Sequence, residues 1–308
     1  MSAALFIDGA IGTTGLEIAE RVAGRSEFTL IALGEDARKN IAKRREALNA
    51  ADFVILCLPD DAAREAAGLI DNPKTRVIDA SSAHRVDPAW TFGFPEIVGR
   101  DKVAGAARVS NPGCYSTGFI ALVAPLVRQG LIPGDWAYTC HAVSGYSGGG
   151  KALIARFEGD PGIAYRDYAL ALGHKHVPEM QHVAGLAHPP LFAPAVVAAH
   201  RGMIVEVPLH LSLMHHAAPV DGLRDLLKDY YRDSAVVHVH EDAPEELLLR
   251  GDAPGWDGLD LYVCGSPDGT QARLIAVLDN LGKGASGAAV QNLNLMSGLP
   301  ETQGLRLR

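Results

Sequence analysis

ALFIDGAIGTTGLEIAERVAG (4–24) carries three signals in immediate succession. Residues 4–9 form a short apolar run that ends in glycine, and from Thr13 onward Leu16, Ile18, Ala19 and Val22 recur at helical spacing. Between them lies the turn Gly9-Ala-Ile-Gly12-Thr-Thr-Gly15. Glycines at such a strand-to-helix turn let the backbone approach a pyrophosphate, while the helix-start amides supply donors and partial positive charge. The spacing is GxxGxxG, a departure from the stricter GxGxxG, and a tight turn without a ligand is the competing reading. A strand before and a helix after favour the dinucleotide site. Gly9, Gly12, Thr13, Thr14 and Gly15 are its candidate cofactor contacts.

The alternation continues downstream. FTLIALG (28–34) reads as a strand, EDARKNIAKRREALNA (35–50) as one charged helical stretch and DFVILCLP (52–59) as a strand. DDAAREAAGLI (60–70) then reads as a helix started by Asp60 or Asp61, and TRVIDASS (75–82) as a further strand. Apolar runs that do not alternate, separated by helices, predict a parallel sheet covered on both faces. After the second strand, Glu35 and Asp36 suit a ribose hydroxyl, whereas Arg38 and Lys39 suit a 2′-phosphate, so NAD and NADP both stay open from these residues. Leu58 and Pro59, at the end of the third strand, are candidate lining residues for the cofactor.

A chain of 308 residues buries a large core and divides most naturally into two domains. A net charge of −8 argues against a sequence-independent nucleic-acid surface, though a local basic pocket for a small anion is compatible with it. MSAALFIDGAIG lacks the basic start of a secretory signal, and no apolar run approaches a bilayer-spanning length. Four dispersed cysteines are read as reduced thiols, so the expected compartment is the cytoplasm.

One of those cysteines stands apart. ARVSNPGCYSTG (107–118) sets Cys114 after Pro112-Gly113, and GFIALVAPLVRQG (118–130) reads as a helix up to Gly130. A thiol at a helix start meets unpaired amides and the positive end of the macrodipole, which favour a thiolate and can hold an oxyanion. Cys57 and Cys264, inside apolar runs, fit the ordinary role of small core hydrophobes. Cys140 and His141 are adjacent on a strand and therefore point to opposite faces.

A proton acceptor for Cys114 is offered by GHKHVPEM (173–180), where Pro178 and Glu179 suit a helix start. His174 and His176 are placed in an extended entry segment, two apart on one side, and either suits general acid/base work. A metal centre is disfavoured, because the remaining histidines lack ligand spacing. Gly145-Tyr-Ser-Gly-Gly-Gly150-Lys151 imitates an ATP-binding loop, but Ala152 replaces the magnesium-binding hydroxyl.

Taken together, GAIGTTG (9–15), LCLPDDAAREA (56–66), VIDASSAHR (77–85), SNPGCYSTG (110–118), SGYSGGGK (144–151), GHKHVPEM and DNLGKGASGAAVQNLNLM (279–296) resemble the N-acetyl-gamma-glutamyl-phosphate reductases of the shorter, second type, over essentially the whole chain. The larger group includes the aspartate-semialdehyde dehydrogenases. The resemblance implies an NADPH-dependent reaction of arginine biosynthesis, with N-acetylglutamyl 5-phosphate reduced to the 5-semialdehyde and phosphate released. It also implies Cys114 as nucleophile and a histidine of the HKH segment as acid/base, with His174 preferred over His176. Candidate substrate-binding residues are Arg85, Asn111, Ser144 and Glu179, and Gly284 and Asn292 join the cofactor candidates. Alternatives are the same chemistry on another acyl phosphate, or a cysteine hydrolase or acyltransferase without redox cofactor.

The expected fold is α/β, a Rossmann-like doubly wound parallel sheet over residues 1–112 joined by a C-terminal helix (285–308). Residues 113–284 form an α+β catalytic and oligomerisation domain with a mixed sheet. Strands such as WAYTCHAV (136–143), MIVEVPLHLS (203–212) and ARLIAVLD (272–279) alternate, so one sheet face is left to meet a neighbouring subunit in a homo-oligomer, dimer or tetramer.

Overall fold

Contacts in the computed structural model, which describes residues 2–242 and 244–308, group Met1–Pro112 with Ala285–Leu305, and Gly113–Gly284 with Arg306–Arg308. In the first unit the chain runs β1 (Ala3–Asp8), α1 (Thr13–Val22), β2 (Phe28–Ile31), α2 (Glu35–Lys39), α3 (Ile41–Ala50), β3 (Phe53–Leu56), α4 (Asp60–Gly68) and β4 (Arg76–Asp79). It continues through β5 (Thr91–Phe92), α5 (Pro95–Val98), α6 (Arg100–Gly105) and β6 (Arg108–Ser110). The sheet order is β2-β1-β3-β4-β6-β5 and every pair is parallel. All four residues of β3 are buried, as a strand with helices on both faces requires.

The stretch 35–50 is two helices, not the single one its charge pattern suggests. Asn40 separates them: its side-chain oxygen accepts from the amides of Ala42 and Lys43 at 3.0 and 3.2 Å and caps α3. Asparagine offers the backbone this local alternative to a continuous helix. The second strand also stops at Ile31, short of the apolar run that announced it.

The second unit contains α7 (Cys114–Arg128), β7 (Thr139–Gly145), α8 (Gly150–Gly159), β8 (Tyr165–Asp167), α9 (Val177–Ala184), β9 (Leu191–Val197) and β10 (Met203–Leu209). It is completed by α10 (Val220–Tyr231), β11 (Val237–Val239), β12 (Leu259–Gly265) and β13 (Ala272–Leu278). Its sheet, in the order β11-β12-β13-β10-β7-β9-β8, is mixed, with β7–β9 and β11–β12 parallel and the other pairs antiparallel. Along β10, Met203, Val205, Val207 and Leu209 are buried while Ile204, Glu206 and Pro208 are less so, which is the period of two of a strand with unlike faces. The last helix, α11 (Gly287–Met296), belongs to the first unit, where Ala289, Leu293 and Met296 share a core with Ile18, Val22 and Val103.

Helix α7 is the spine of the second unit, with Phe119, Ile120, Leu122, Val123 and Leu126 fully buried. Each such side chain contributes roughly 1.5–3 kcal/mol. Pro125 interrupts it chemically without ending it. A proline lacks the N–H that would bond the carbonyl four residues earlier, here that of Ala121, and the Tyr231 hydroxyl of α10 donates to that carbonyl at 2.8 Å. Tyr231→Phe therefore removes the donor of a buried acceptor, and the expected loss is about 1–3 kcal/mol of unfolding free energy. Urea denaturation of the two proteins measures it; a difference below about 0.5 kcal/mol, the range of an inert substitution, would contradict the account.

Candidate active site

Cys114 is the first residue of α7 and is partly exposed. Gly113 caps the helix through its backbone alone, and no acidic residue occupies the first turn. The Gly113 carbonyl accepts from Ser116 Oγ, Thr117 Oγ1 and the Thr117 amide, all at 2.9 Å. These bonds fix the turn, and the first amides of a helix have no acceptor within the helix itself. The Gly113 amide donates to Glu179 Oε2 at 3.1 Å, so this buried carboxylate in the first turn of α9 ties the two helix starts together.

Gly284 lies directly against the cysteine. A Cβ at position 284 would stand 2.7 Å from the Cys114 Cβ, a distance that side-chain atoms do not tolerate. The loop that brings it there is held by buried polar groups. Asp279 accepts from Arg201 at 3.0 Å and from the Trp256 and Leu281 amides, and Asn280 bridges the Gly202 amide and Ser147 Oγ. Gly284, expected from sequence among the cofactor contacts, thus packs on the nucleophile candidate within the second unit.

The histidine segment differs from its expected extended form. It is a turn, closed by the Val177 amide on the His174 carbonyl at 3.0 Å, and His176 has helical backbone angles. A helix start with Pro178 in its first turn takes up the preceding residue, which an extended segment would not allow. The two rings nevertheless come together, 4.6 Å apart at 86°, and both contact Tyr115. His174 uses both ring nitrogens: Nδ1 accepts from the His176 amide at 3.1 Å, and Nε2 faces the Tyr168 hydroxyl at 3.3 Å. His176 is buried. Burial pushes the Tyr168 phenol up to about 12, with the Cys114 charge adding and the Tyr115 hydroxyl acting in the opposite sense. Ser144, buried on β7, donates to the Gly145 carbonyl and lies beside the Tyr115 hydroxyl.

Cys114, His174, His176, Ser144, Glu179 and Gly284 therefore all belong to the second unit. Tyr115 and Tyr168 were missed by the sequence reading. Tyr115 adjoins the cysteine and could have been singled out; Tyr168 lies in a stretch with no periodic or motif signal. The other cysteines differ in kind. Burial, with the Asp79 and Asp8 charges adding, pushes the Cys57 thiol up to about 12, and burial likewise raises Cys140.

In the first unit the glycine turn suits a pyrophosphate. Gly9 has φ 91°, and a Cβ there would fall 2.3 Å from the Cys57 carbonyl oxygen. Gly12 caps α1 without a side-chain bond, Thr13, Thr14 and the buried Gly15 form its first turn, and no acid stands there to compete with a phosphate. Leu58 approaches Gly9, and Pro59 precedes α4 as its cap. Asp8, at the end of β1, is paired with Arg44 at 2.8 Å, which offsets a carboxylate beside this anion site. Arg38, in α2 directly after β2, is held by its Nε on the Leu33 carbonyl at 2.9 Å, in the region where a doubly wound fold meets the ribose.

Arg85, Asn111 and Asn292 form a separate buried group of the same unit. Arg85 Nε donates to the Asn111 carbonyl at 3.0 Å, and Asn292 Nδ2 donates to the Asn111 side chain and the Gly93 carbonyl. Asn292 Oδ1 is buried with no donor among the described residues, an acceptor suited to a carboxamide. Beside them Asp79 holds His84 Nδ1 at 2.6 Å, and the His84 ring stacks on Trp90 at 4.1 Å. Among the described residues no group of three or more His, Cys, Asp or Glu side chains could hold a metal ion.

Comparison with known proteins agrees with this division. Residues 6–106 match the family described as semialdehyde dehydrogenase, NAD binding domain, and residues 114–280 match the semialdehyde dehydrogenase dimerisation domain. The chain is 48% identical to N-acetyl-gamma-glutamyl-phosphate reductase 2 of Pseudomonas putida, covering 97% of this chain and 98% of that protein. Its identity to the reductase of Burkholderia ambifaria is 48%, covering 96% of each, and to reductase 2 of a Nostoc species 44%, covering 98% of each. In fold it is similar to aspartate semialdehyde dehydrogenase II of Vibrio cholerae, with a TM-score of 0.72 at 18% identity over 96% of this chain and 98% of that one. The chain belongs to the N-acetyl-gamma-glutamyl-phosphate reductase family, built from the two semialdehyde dehydrogenase domains.

Proposed function

We propose that the chain reduces N-acetyl-L-glutamyl 5-phosphate to N-acetyl-L-glutamate 5-semialdehyde with NADPH, releasing phosphate, as a step of arginine biosynthesis. The observation that carries this reading is the setting of Cys114. A sulfur on the first residue of a buried helix, with a glycine pressed against it and two histidines on the next residue's ring, suits an acyl-transfer nucleophile better than a structural thiol. Gly9, Gly12, Thr13, Thr14 and Gly15 would hold the dinucleotide's pyrophosphate, with Leu58 and Pro59 beside it. Arg38 would lie toward the 2′-phosphate and Asn292 Oδ1 toward the carboxamide. When bound, NADPH supplies the hydride that reduces the acyl carbon.

The protein's own residues do the rest. The Cys114 sulfur attacks the acyl-phosphate carbon, phosphate departs, and the acyl group is held as a thioester. The amides at the α7 start stabilise the oxyanion in each tetrahedral species. His176 takes the thiol proton before attack and hands a proton to the sulfur as the aldehyde leaves. His174, whose ring nitrogens face the Tyr168 hydroxyl and the His176 amide, is assigned to holding geometry, and His176 to the proton. Glu179 holds the cysteine turn against α9, Arg85 and Asn111 are the anchors for substrate anions, and Ser144 steadies the wall beside Tyr115. The less buried face of the mixed sheet would meet a second copy of the chain, giving a homo-oligomer, dimer or tetramer. No helix among the described residues is long and apolar enough to cross a membrane, and the proposed compartment is the cytoplasm.

Cys114→Ser is expected to fold and bind NADPH but to lose more than about three decades of phosphate-dependent NADP reduction by the semialdehyde. Turnover within tenfold of the parent would exclude covalent catalysis. His176→Asn is expected to cost about two to four decades in kcat, the range of a lost general acid/base, as measured in the same spectrophotometric assay. Iodoacetamide at pH 8 is expected to modify Cys114 first and to spare Cys57 and Cys140, whose thiols burial keeps protonated. Peptide mass spectrometry reads the order, and early labelling of Cys57 would refute the assignment.

A further inference from the structure

Among the described residues two non-glycine positions have left-handed backbone, Ala169 at φ 55° and Leu172 at φ 61°, and both lie in one short loop. Residues that bear a Cβ adopt such angles only where the surroundings enforce them. Packing of the loop's leucines does not supply that enforcement, since Leu170 is 77% and Leu172 55% exposed. The loop's own bond, from the Leu172 amide to the Ala169 carbonyl at 2.8 Å, closes the tight turn but does not anchor it.

The anchor is at the base. Tyr168 precedes the loop and His174 follows it, and their side chains meet, Oη to Nε2, at 3.3 Å. Tyr168 is itself held in place, with the Arg166 guanidinium 4.5 Å above its ring. On the far side of the imidazole, Nδ1 accepts from the His176 amide. A backbone N–H can only donate, so Nδ1 carries a lone pair, and the proton of the neutral ring sits on Nε2, facing the tyrosine oxygen. The chain of contacts runs from Tyr168 through one imidazole to the backbone of the next histidine.

We propose that Tyr168 is a positioning residue of the reaction: through His174 it clamps the strained 169–173 loop and so fixes the backbone from which His176 acts. The inference rests on the role given above to His176. It assigns His174 to holding geometry and His176 to moving the proton.

Tyr168→Phe removes one hydroxyl and leaves the ring contacts in place. It is expected to lower kcat roughly tenfold, as a small misplacement of a catalytic group does, with KM changed less than about twofold. His174→Asn keeps an oxygen able to accept from the His176 amide, as asparagine does in such turns, but cannot reach Tyr168. It is expected to match Tyr168→Phe, and the double variant to be no worse than either single one, because one clamp is lost in all three. Histidine-ring ¹⁵N NMR of the unsubstituted enzyme at pH 8 is expected to find His174 as the Nε2–H tautomer. This readout needs no substrate, so it judges the clamp even if a variant does not fold or the proposed substrate is wrong; absence of turnover by the unsubstituted enzyme counts against the substrate alone. An Nδ1–H tautomer, or a Tyr168→Phe kcat within twofold of the parent, overturns the proposal. So does a His174→Asn loss about a hundredfold beyond that of Tyr168→Phe, which would make His174 the acid/base.

Discussion

Lack of space at one backbone atom governs the surroundings of Cys114. The α-carbon of residue 284 sits so close to Cys114 that hydrogen is the only substituent it can carry. That approach is maintained by Asp279 and Asn280, whose side chains are spent on backbone amides, Arg201 and Ser147. Polar groups buried in this way must be fully partnered to be tolerated, and here the partners are the segments that need fixing. The same economy operates at Glu179, where one buried carboxylate ties the start of α9 to the start of α7. Rigid placement of the sulfur follows from these local bonds and needs no flexible element.

Much of this was legible in the sequence, because the features concerned are local. A glycine turn between an apolar run and a helical pattern, or a cysteine after Pro-Gly ahead of a helix, is written in consecutive residues. The parallel sheet of the first unit likewise follows from apolar runs that fail to alternate. What escaped depends on distant partners or on side-chain competition. The break at Asn40 turns on one capping side chain against a strong helical charge pattern. The pairing of Asp8 with Arg44, and the dependence of Ala121 on Tyr231, join residues 36 and 110 positions apart. Tyr168 stands in no periodic pattern, and its importance is visible only from what its hydroxyl meets. Spacing offers both histidines alike, and that the His174 ring nitrogens face Tyr168 and the His176 amide shows only in the hydrogen bonds.

The two sheets illustrate how one rule of burial yields opposite sequence patterns. In the first unit helices cover the sheet, and β3 is apolar at every position. In the second, α7 packs on β10 and β13; β10 alternates, whereas β13 is buried at Leu274, Ile275 and Ala276 in succession. Arg273 and Glu206 pair across neighbouring strands on the other face, at 2.6 and 2.7 Å. Residues 114–280 of this unit match a family described as a dimerisation domain.

The position of α11 has a consequence for how the protein is made. Its apolar face completes the core around Ile18, Val22 and Val103, and Arg76 of β4 donates to the Met296 carbonyl at its end. On the ribosome, the first hundred residues emerge long before the segment that finishes their core. The nucleotide-binding half is therefore begun first and completed last, with the catalytic half free to fold during the interval. A nascent chain stalled before residue 285 would carry an unsealed apolar groove, the kind of surface that molecular chaperones retain.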